Sequence, residues 1–148
     1  MSEETPAAVE EIEELLDRLR AAHRSFIAAV TRADPDRFAE QRDDGDSLKR
    51  ILERSADDVN FYYGQLVARA LALPQPPMET ADFQSIVDAK SALQLAHRRL
   101  TRLLNDISAA DLERKTKLES TAEYTLRQVL ETVVAHYKLR ADQLTSRN

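Results

Sequence analysis

The chain of 148 residues has no cysteine and no tryptophan, and it contains only two glycines and five prolines. Without cysteine there is no disulfide, no thiolate metal ligand and no cysteine nucleophile. Few glycines mean few tight turns, and the abundance of Ala, Leu, Arg and Glu favours long helices. No run approaches the roughly 18 apolar residues of a membrane-spanning helix, and the acidic N-terminus lacks an apolar signal core. We therefore expect a cytoplasmic, helical protein that does not bind to membranes.

Composition and charge indicate the number of domains and the kinds of partner to expect. Hydrophobic residues make up 43% and charged residues 32% of the chain, which is typical of one soluble globular domain covering residues 1–148. The net charge is −5, and the main basic cluster is Arg98, Arg99 and Arg102. Because phosphate contacts from Lys and Arg supply most non-specific affinity for nucleic acids, we expect no nucleic-acid partner.

Four segments carry apolar residues at the three- and four-residue spacing of an amphipathic helix. No strand-like alternation competes with them, so the pattern predicts an all-α four-helix bundle. A further short turn follows Ser108, through residues 111–113. The predicted helices are 6–31, 46–73, 80–107 and 125–147.

Local signals mark where these helices begin and end. Thr5 can cap the first helix, and Pro6 suits its first position because no N–H is required there. Thr125 and Gln128 form a capping-box pattern at the start of the fourth helix. The proline-rich run 74–77 ends the second, because proline blocks helix continuation.

His136 and Arg140 lie four residues apart on the fourth predicted helix and therefore share a face. Histidines at both places would give one metal ion two ligands, but arginine is always protonated and cannot ligate a metal. The pair looks like a metal site in which a cation replaces a ligand. His23 and His97 lie at the edges of the apolar stripes of helices one and three, where we expect structural or exposed histidines.

Two stretches of the sequence resemble the DinB-like (YfiT-like) superfamily. Residues 45–57, Gly-Asp-Ser-Leu-Lys-Arg-Ile-Leu-Glu-Arg-Ser-Ala-Asp, resemble the start of its second helix, where Trp-Ser is usual and a histidine follows seven residues after the serine. Residues 110–114, with Thr125, Leu130, His136, Arg140, Gln143 and Leu144, resemble its closing segment, where His-x-x-x-His is typical. The resemblance covers about residues 6–146.

The resemblance implies a four-helix bundle with a long crossover connection, frequently a homodimer and often with a metal held by three histidines. Those three places fall here on Arg54, His136 and Arg140, so His136 is the only retained ligand. Asp46 stands where the tryptophan is usual. We therefore expect no metal or other cofactor, and we do not transfer the superfamily's metal-dependent activities to this chain.

Three functional hypotheses remain open. In the first, a non-enzymatic DinB-like bundle binds a small polar or anionic ligand through Arg54, His136 and Arg140, or acts as a stress-associated dimer. Its structural alternative is a salt-bridge network filling the same place, with Asp58 as the partner of Arg54 and Asp57 next in line. In the second, a hydrolase or thiol S-transferase holds Zn or Ni at a site rebuilt around His136 with either aspartate. The third is a helix-mediated interaction module.

Aromatic and apolar residues suggest further contacts. Tyr62 lies on the apolar stripe of the second helix, so we expect it in the core, and Tyr63 or Phe61 is the better candidate for a pocket or an interface. A set of apolar residues lies off the main stripes, and apolar surface of this kind tends to be covered, which predicts a homodimer. This set is Ile27, Ile51, Val67, Val87, Leu95 and Val134.

Overall fold

The computed structural model describes residues 5–43, 45–75, 78–119 and 122–147. Most of these residues are helical, which confirms the all-α class, and no helix among them is long and apolar enough to cross a membrane. A π-helical turn, Asp58–Tyr63, joins α2 to α3, and a 3₁₀ turn, Pro35–Arg37, follows α1. The α-helices are α1 Pro6–Arg32, α2 Leu48–Asp57, α3 Gly64–Ala70, α4 Ile86–Leu103, α5 Ala109–Leu112 and α6 Leu126–Ser146.

The predicted N-terminal caps are all formed. The Thr5 hydroxyl accepts a hydrogen bond from the Ala8 backbone N–H, and Pro6 occupies the first turn of α1. At the start of α6, Thr125 and Gln128 make both hydrogen bonds of a capping box. Such bonds satisfy backbone N–H groups that have no partner inside the helix. The boundaries of α1 and α6 could therefore be predicted to within one or two residues.

The second predicted helix ends three residues earlier than expected. Ala72 adopts a left-handed conformation with φ of 53°, and the Leu73 N–H bonds back to the Ala68 carbonyl, 2.9 Å away. This is the usual way in which a helix satisfies its last carbonyl groups. The proline-rich run follows it, although Pro76 and Pro77 lie outside the described residues.

The π-helical turn changes which aromatic residue faces the core. The Gly64 N–H bonds to the Val59 carbonyl, five residues earlier, so this turn holds one residue more than an α-helical turn. Tyr63 is consequently buried and Tyr62 only partly buried. The prediction that Tyr62 rather than Tyr63 lies in the core was therefore wrong, because it assumed an uninterrupted 3.6-residue period; Tyr62 only packs against the edge of the core.

Helix α4 begins at Ile86 rather than near Thr80, so this predicted boundary was wrong. The preceding segment runs non-helically alongside α2. There the Ala81 N–H donates to Asp57 Oδ1 at 2.8 Å, and the Phe83 N–H donates to Glu53 Oε2 at 2.9 Å. Acidic side chains of α2 thus satisfy backbone N–H groups that a helix would have used. The helix starts only at Ser85, whose hydroxyl caps it.

A small antiparallel ribbon interrupts the helical pattern. Strand β1 (Lys115–Thr116) pairs with β2 (Tyr124–Thr125), and Thr116 also donates its hydroxyl hydrogen to the Leu66 carbonyl at 2.8 Å. The ribbon does not change the all-α class, and no pattern in the sequence indicated it. Two-residue strands are too short to show an alternating pattern in the sequence.

The hydrophobic core lies between α1, α6, α4 and the helical segment from Leu48 to Ala70. Four of the six residues that we expected to cover a dimer interface are buried within the chain itself, namely Ile27, Ile51, Val67 and Val134. The other two of the six, Val87 at 76% relative exposure and Leu95 at 40%, are exposed. The predicted apolar surface is therefore confined to α4.

Candidate functional site

Helix α6 supplies two consecutive polar residues to the interior of the protein, His136 and Tyr137, whose ring centroids lie 5.7 Å apart. Successive residues of a helix point about 100° apart, so the two side chains meet different neighbours. His136 reaches Ser55 on α2, and Tyr137 reaches His97 on α4. Two polar clusters result, one on each side of α6.

We call the first the His136 cluster; it consists of Ser55, Asp58, His136 and Arg140. The Nε2 atom of His136 lies 3.0 Å from the Ser55 hydroxyl oxygen, and Tyr63 packs edge-on against the imidazole. Burial, together with the charge of Arg140, lowers the pKa of His136 to about 4, so the ring is neutral at pH 7. Ser55 has 0% relative exposure, so the contact joins α2 to α6 and does not present a nucleophile to a substrate.

Arg140 is the cation of this cluster and has an incomplete set of partners. Its Nη1 donates to Gln143 Oε1 at 2.9 Å, and its Nη2 lies 3.7 Å from Asp58 Oδ2. The Nε atom is buried and has no hydrogen-bond partner among the described residues. Burial raises the pKa of the Asp58 carboxyl, while the charge of Arg140 lowers it. The guanidinium is thus only partly neutralised.

The expected ion pair between Arg54 and Asp58 does not form. Arg54 instead runs back toward the N-terminus of α2 and pairs with Asp46, and its side chain is 49% exposed. Long helical side chains favour this direction. Arg54 remains near enough to contribute to lowering the pKa of Asp58, after the larger effect of Arg140. Asp57 does not join the His136 cluster, because its carboxylate accepts a hydrogen bond from the Ala81 backbone N–H.

The residues at this place do not fit the metal that the DinB-like resemblance implies. The cluster offers one imidazole, whose Nε2 is engaged by Ser55, and the charge of Arg140 opposes a dication nearby. Across residues 5–43, 45–75, 78–119 and 122–147, no group of three or more His, Asp or Glu side chains could hold a metal ion. A site rebuilt around His136 with Asp57 or Asp58 therefore lacks a sufficient ligand set.

The second cluster, which we call the Tyr137 cluster, consists of His23, His97 and Tyr137. His97 Nδ1 lies 3.0 Å from the Tyr137 hydroxyl oxygen, and the His23 ring stacks on His97 at 3.7 Å with an interplanar angle of 4°. Burial lowers the pKa of His97 to about 3 and that of His23 to about 4. Both rings are therefore neutral at pH 7, which allows them to stack without charge repulsion.

The Tyr137 cluster was not predicted from the sequence. His23 and His97 were expected to be structural or exposed, and their mutual contact depends on how α1 packs against α4, which periodicity does not specify. Their positions at the edges of two apolar stripes were the only available signal.

Comparison of the chain with protein-family models, with curated proteins and with solved structures finds no match. The resemblance to the DinB-like superfamily therefore stays a prediction, and the function is argued from the two clusters and their surroundings.

Proposed function

We propose that this protein is a cytoplasmic, non-enzymatic DinB-like four-helix bundle that binds a small anion at the place of the superfamily's metal. Two of the three corresponding residues, His136 and Arg140, lie in the His136 cluster, and Arg54 is near enough to influence it. This arrangement supports the proposal because the Arg140 guanidinium lies beside His136, the one ligand position of the superfamily that this chain retains by the resemblance.

The observation that carries the proposal is the unsatisfied Nε atom of Arg140. A buried polar group without a hydrogen-bond partner costs about 1–3 kcal/mol, and such groups in native proteins commonly mark a water or an ion. Asp58 is 45% exposed and 3.7 Å away, so it does not fully neutralise the guanidinium. An anion beside Arg140 supplies the missing acceptor and the missing charge.

The chemistry of the cluster favours a small monoanion. The Nε and one Nη atom of a guanidinium form a fork that matches the two oxygens of a carboxylate. The neutral imidazole of His136 adds no positive charge, and Asp58 repels highly charged ligands. A short carboxylate, with acetate as its simplest member, satisfies these conditions better than a phosphate ester.

The test is a titration with acetate, followed by changes in the amide NMR signals of α6. We expect saturable shifts in the parent protein and their loss in Arg140→Gln. Lys138→Gln is the matched control, because it removes one cation from the exposed face of the same helix. Equal binding by both variants, or no saturable shift in the parent, would refute the proposal.

The competing hypothesis of a metal-dependent hydrolase or thiol S-transferase is tested by elemental analysis of protein purified without chelator. We expect no stoichiometric transition metal, because the cluster provides a single imidazole beside a cation. About one zinc or nickel ion per chain, lost in His136→Ala, would establish the metal hypothesis instead.

We also propose that the protein forms a homodimer through the exposed apolar residues of α4. Val87 and Leu95 support this, although the other four residues first considered are buried within the chain. Light scattering should show a dimer that Val87→Ser weakens. A strict monomer at high concentration would contradict the dimer and leave the interaction-module hypothesis without a self-association surface.

A further inference from the structure

A separate groove lies between α1 and α4, above the Tyr137 cluster. It encloses about 700 Å³, and two arginines from each helix line it: Arg20 and Arg24 from α1, and Arg98 and Arg102 from α4. Residues four apart share a helix face, so each pair points the same way. None of the described residues that line the groove is an aspartate or a glutamate.

The positive charge of this groove is largely uncompensated. Arg20 pairs with Asp17 on the exposed surface of α1. Arg24, Arg98 and Arg102 form no ion pair with any residue in the described part of the chain. Because the whole protein carries a net charge of −5, this concentration of positive charge is a local exception.

The floor of the groove is uncharged and partly apolar. It is built from the stacked imidazoles of His23 and His97 together with Leu19, Ile27 and Leu104. The guanidinium groups therefore place positive charge at the rim, while the floor adds uncharged and partly apolar side chains. Pockets that bind small ligands commonly combine an apolar lining with a few polar groups in this way.

We propose that the groove between α1 and α4 binds a small organic phosphate, with its phosphate groups on the arginines and its planar part on the floor. Guanidinium groups match phosphate oxygens in geometry and charge, and several of them favour a ligand with two or more negative charges. The proposal does not depend on anion binding at Arg140, because the groove uses different helices and different residues.

A nucleic acid fits the groove less well than a small ligand. Long nucleic acids are held by many phosphate contacts spread along an extended basic surface. The cations that line this groove span about one helical turn on each helix, and the rest of the protein is acidic.

Isothermal titration calorimetry with ADP and with inorganic pyrophosphate tests the proposal. We expect ADP to bind more tightly than pyrophosphate, because only ADP has a planar base for the floor. The groove variant Arg24→Glu with Arg98→Glu should weaken ADP binding at least about tenfold, since each charge-assisted contact is of that order. Arg24→Gln with Arg98→Gln serves the same purpose if charge reversal prevents folding.

The matched control is Arg18→Glu with Arg99→Glu. It changes the net charge by the same amount at two exposed arginines of α1 and α4 that do not line the groove. This control should bind ADP within about twofold of the parent, as should Arg140→Gln. Failure of acetate binding at Arg140 with ADP binding intact would refute the proposed function and leave the groove proposal standing.

Several results would overturn the groove proposal. These are no ADP binding by the parent at ~1 mM, the same loss in the control variant, or equal affinities for pyrophosphate and ADP. Much tighter binding of a single-stranded oligonucleotide would identify a nucleic-acid surface instead. A dimer that dissociates only in the groove variant, with ADP binding unchanged, would identify the groove as a contact between two copies of the chain.

Discussion

The two polar clusters on either side of α6 differ in where they place charge. The His136 cluster includes a partly buried guanidinium and a carboxylate, Arg140 and Asp58, 3.7 Å apart. The Tyr137 cluster contains only neutral rings, and the charges near it stay at the rim of the groove between α1 and α4. Both use neutral histidine to cross-link helices, but only the His136 cluster brings a charge into the interior.

The ligands that we propose for the two places differ for this reason. At Arg140 the proposed ligand is a small anion, because one buried guanidinium nitrogen has no hydrogen-bond partner among the described residues. In the groove between α1 and α4 the proposed ligand is larger, because the arginines lie at the rim above uncharged residues. Substitutions in the two clusters should therefore have effects of different kind and size.

The His136 cluster should become a metal site when histidines replace both arginines. In Arg54→His with Arg140→His, three imidazoles including His136 become available, and the DinB-like resemblance implies that α2 and α6 hold these positions close enough to share a metal ion. We expect zinc or nickel affinity in the micromolar range or better, about 8 kcal/mol of binding free energy. The Tyr137 cluster should not bind metal, because the parallel rings of His23 and His97 cannot converge on one ion. Calorimetry on parent and variant measures this, and no binding by the variant would mean that the equivalence with the superfamily's ligand positions is wrong.

Mild acid should destabilise the protein through both clusters. The pKa values of His23, His97 and His136 lie at about 4, about 3 and about 4, all lowered from 6.5 mainly by burial. Below pH 6.5 the unfolded chain therefore binds more protons than the folded chain, so the free energy of unfolding falls as the pH falls.

A histidine that stays unprotonated in the folded chain lowers the free energy of unfolding by at most about 1.4 kcal/mol for each unit of falling pH. With partial exposure taken into account, we expect a loss of about 4 kcal/mol between pH 7 and pH 5. Urea unfolding at several pH values measures it. His23→Leu should reduce the slope, because it removes a histidine whose pKa burial lowers to about 4 in the folded chain. An unchanged slope in that variant would show that His23 is protonated as easily in the folded chain as in the unfolded one.

Deleting one hydrogen bond from each cluster compares them directly. Ser55→Ala leaves His136 Nε2 without its partner, and Tyr137→Phe does the same for His97 Nδ1. Each substitution should lower the free energy of unfolding by about 1–2 kcal/mol, because the remaining nitrogen is buried and unsatisfied. Denaturant unfolding tests both. A neutral effect of Tyr137→Phe would mean that His97 finds another partner.

The smallest effect is expected from Asp58→Ala. A buried pair between Arg54 and Asp58 would have made this loss about 3 kcal/mol or more, but Arg54 pairs with Asp46 and Asp58 is half exposed. We now expect about 1 kcal/mol or less. Asp57→Ala is the comparison variant, because it also removes a carboxylate but loses the hydrogen bond to the Ala81 N–H. A loss near 3 kcal/mol in Asp58→Ala would restore the buried-network hypothesis.

Local signals predicted the ends of helices better than the contacts between them. The caps at Thr5 and Thr125 depend on neighbouring residues and were predicted correctly. The start of α4 was wrong because carboxylates from α2, distant in the sequence, hold the backbone before Ser85. A hydrogen bond from a neighbouring side chain to a backbone N–H can therefore be predicted from the sequence, whereas one from a side chain distant in the sequence cannot.

The candidate site shows the same limit. The spacing of His136 and Arg140 correctly predicted that they share one face of α6. Asp58, also named from the sequence, lies beside Arg140. The partners of Arg54 and His136 were not predicted, because either could reach several residues. The Tyr137 cluster depends on which faces of α1 and α4 meet, and a single sequence does not contain that information.

The π-helical turn has a consequence for any insertion or deletion in this helix. The turn accommodates one extra residue. Beyond it, each residue therefore faces the direction that a regular α-helix counted from Ser47 would assign to the residue before it. Deleting Tyr62 should restore an ordinary α-helical turn and keep Leu66 facing the core, whereas deleting a residue from α2 would rotate everything after it. The loss of one residue within Asp58–Tyr63 should therefore leave the residues after the turn facing the same neighbours.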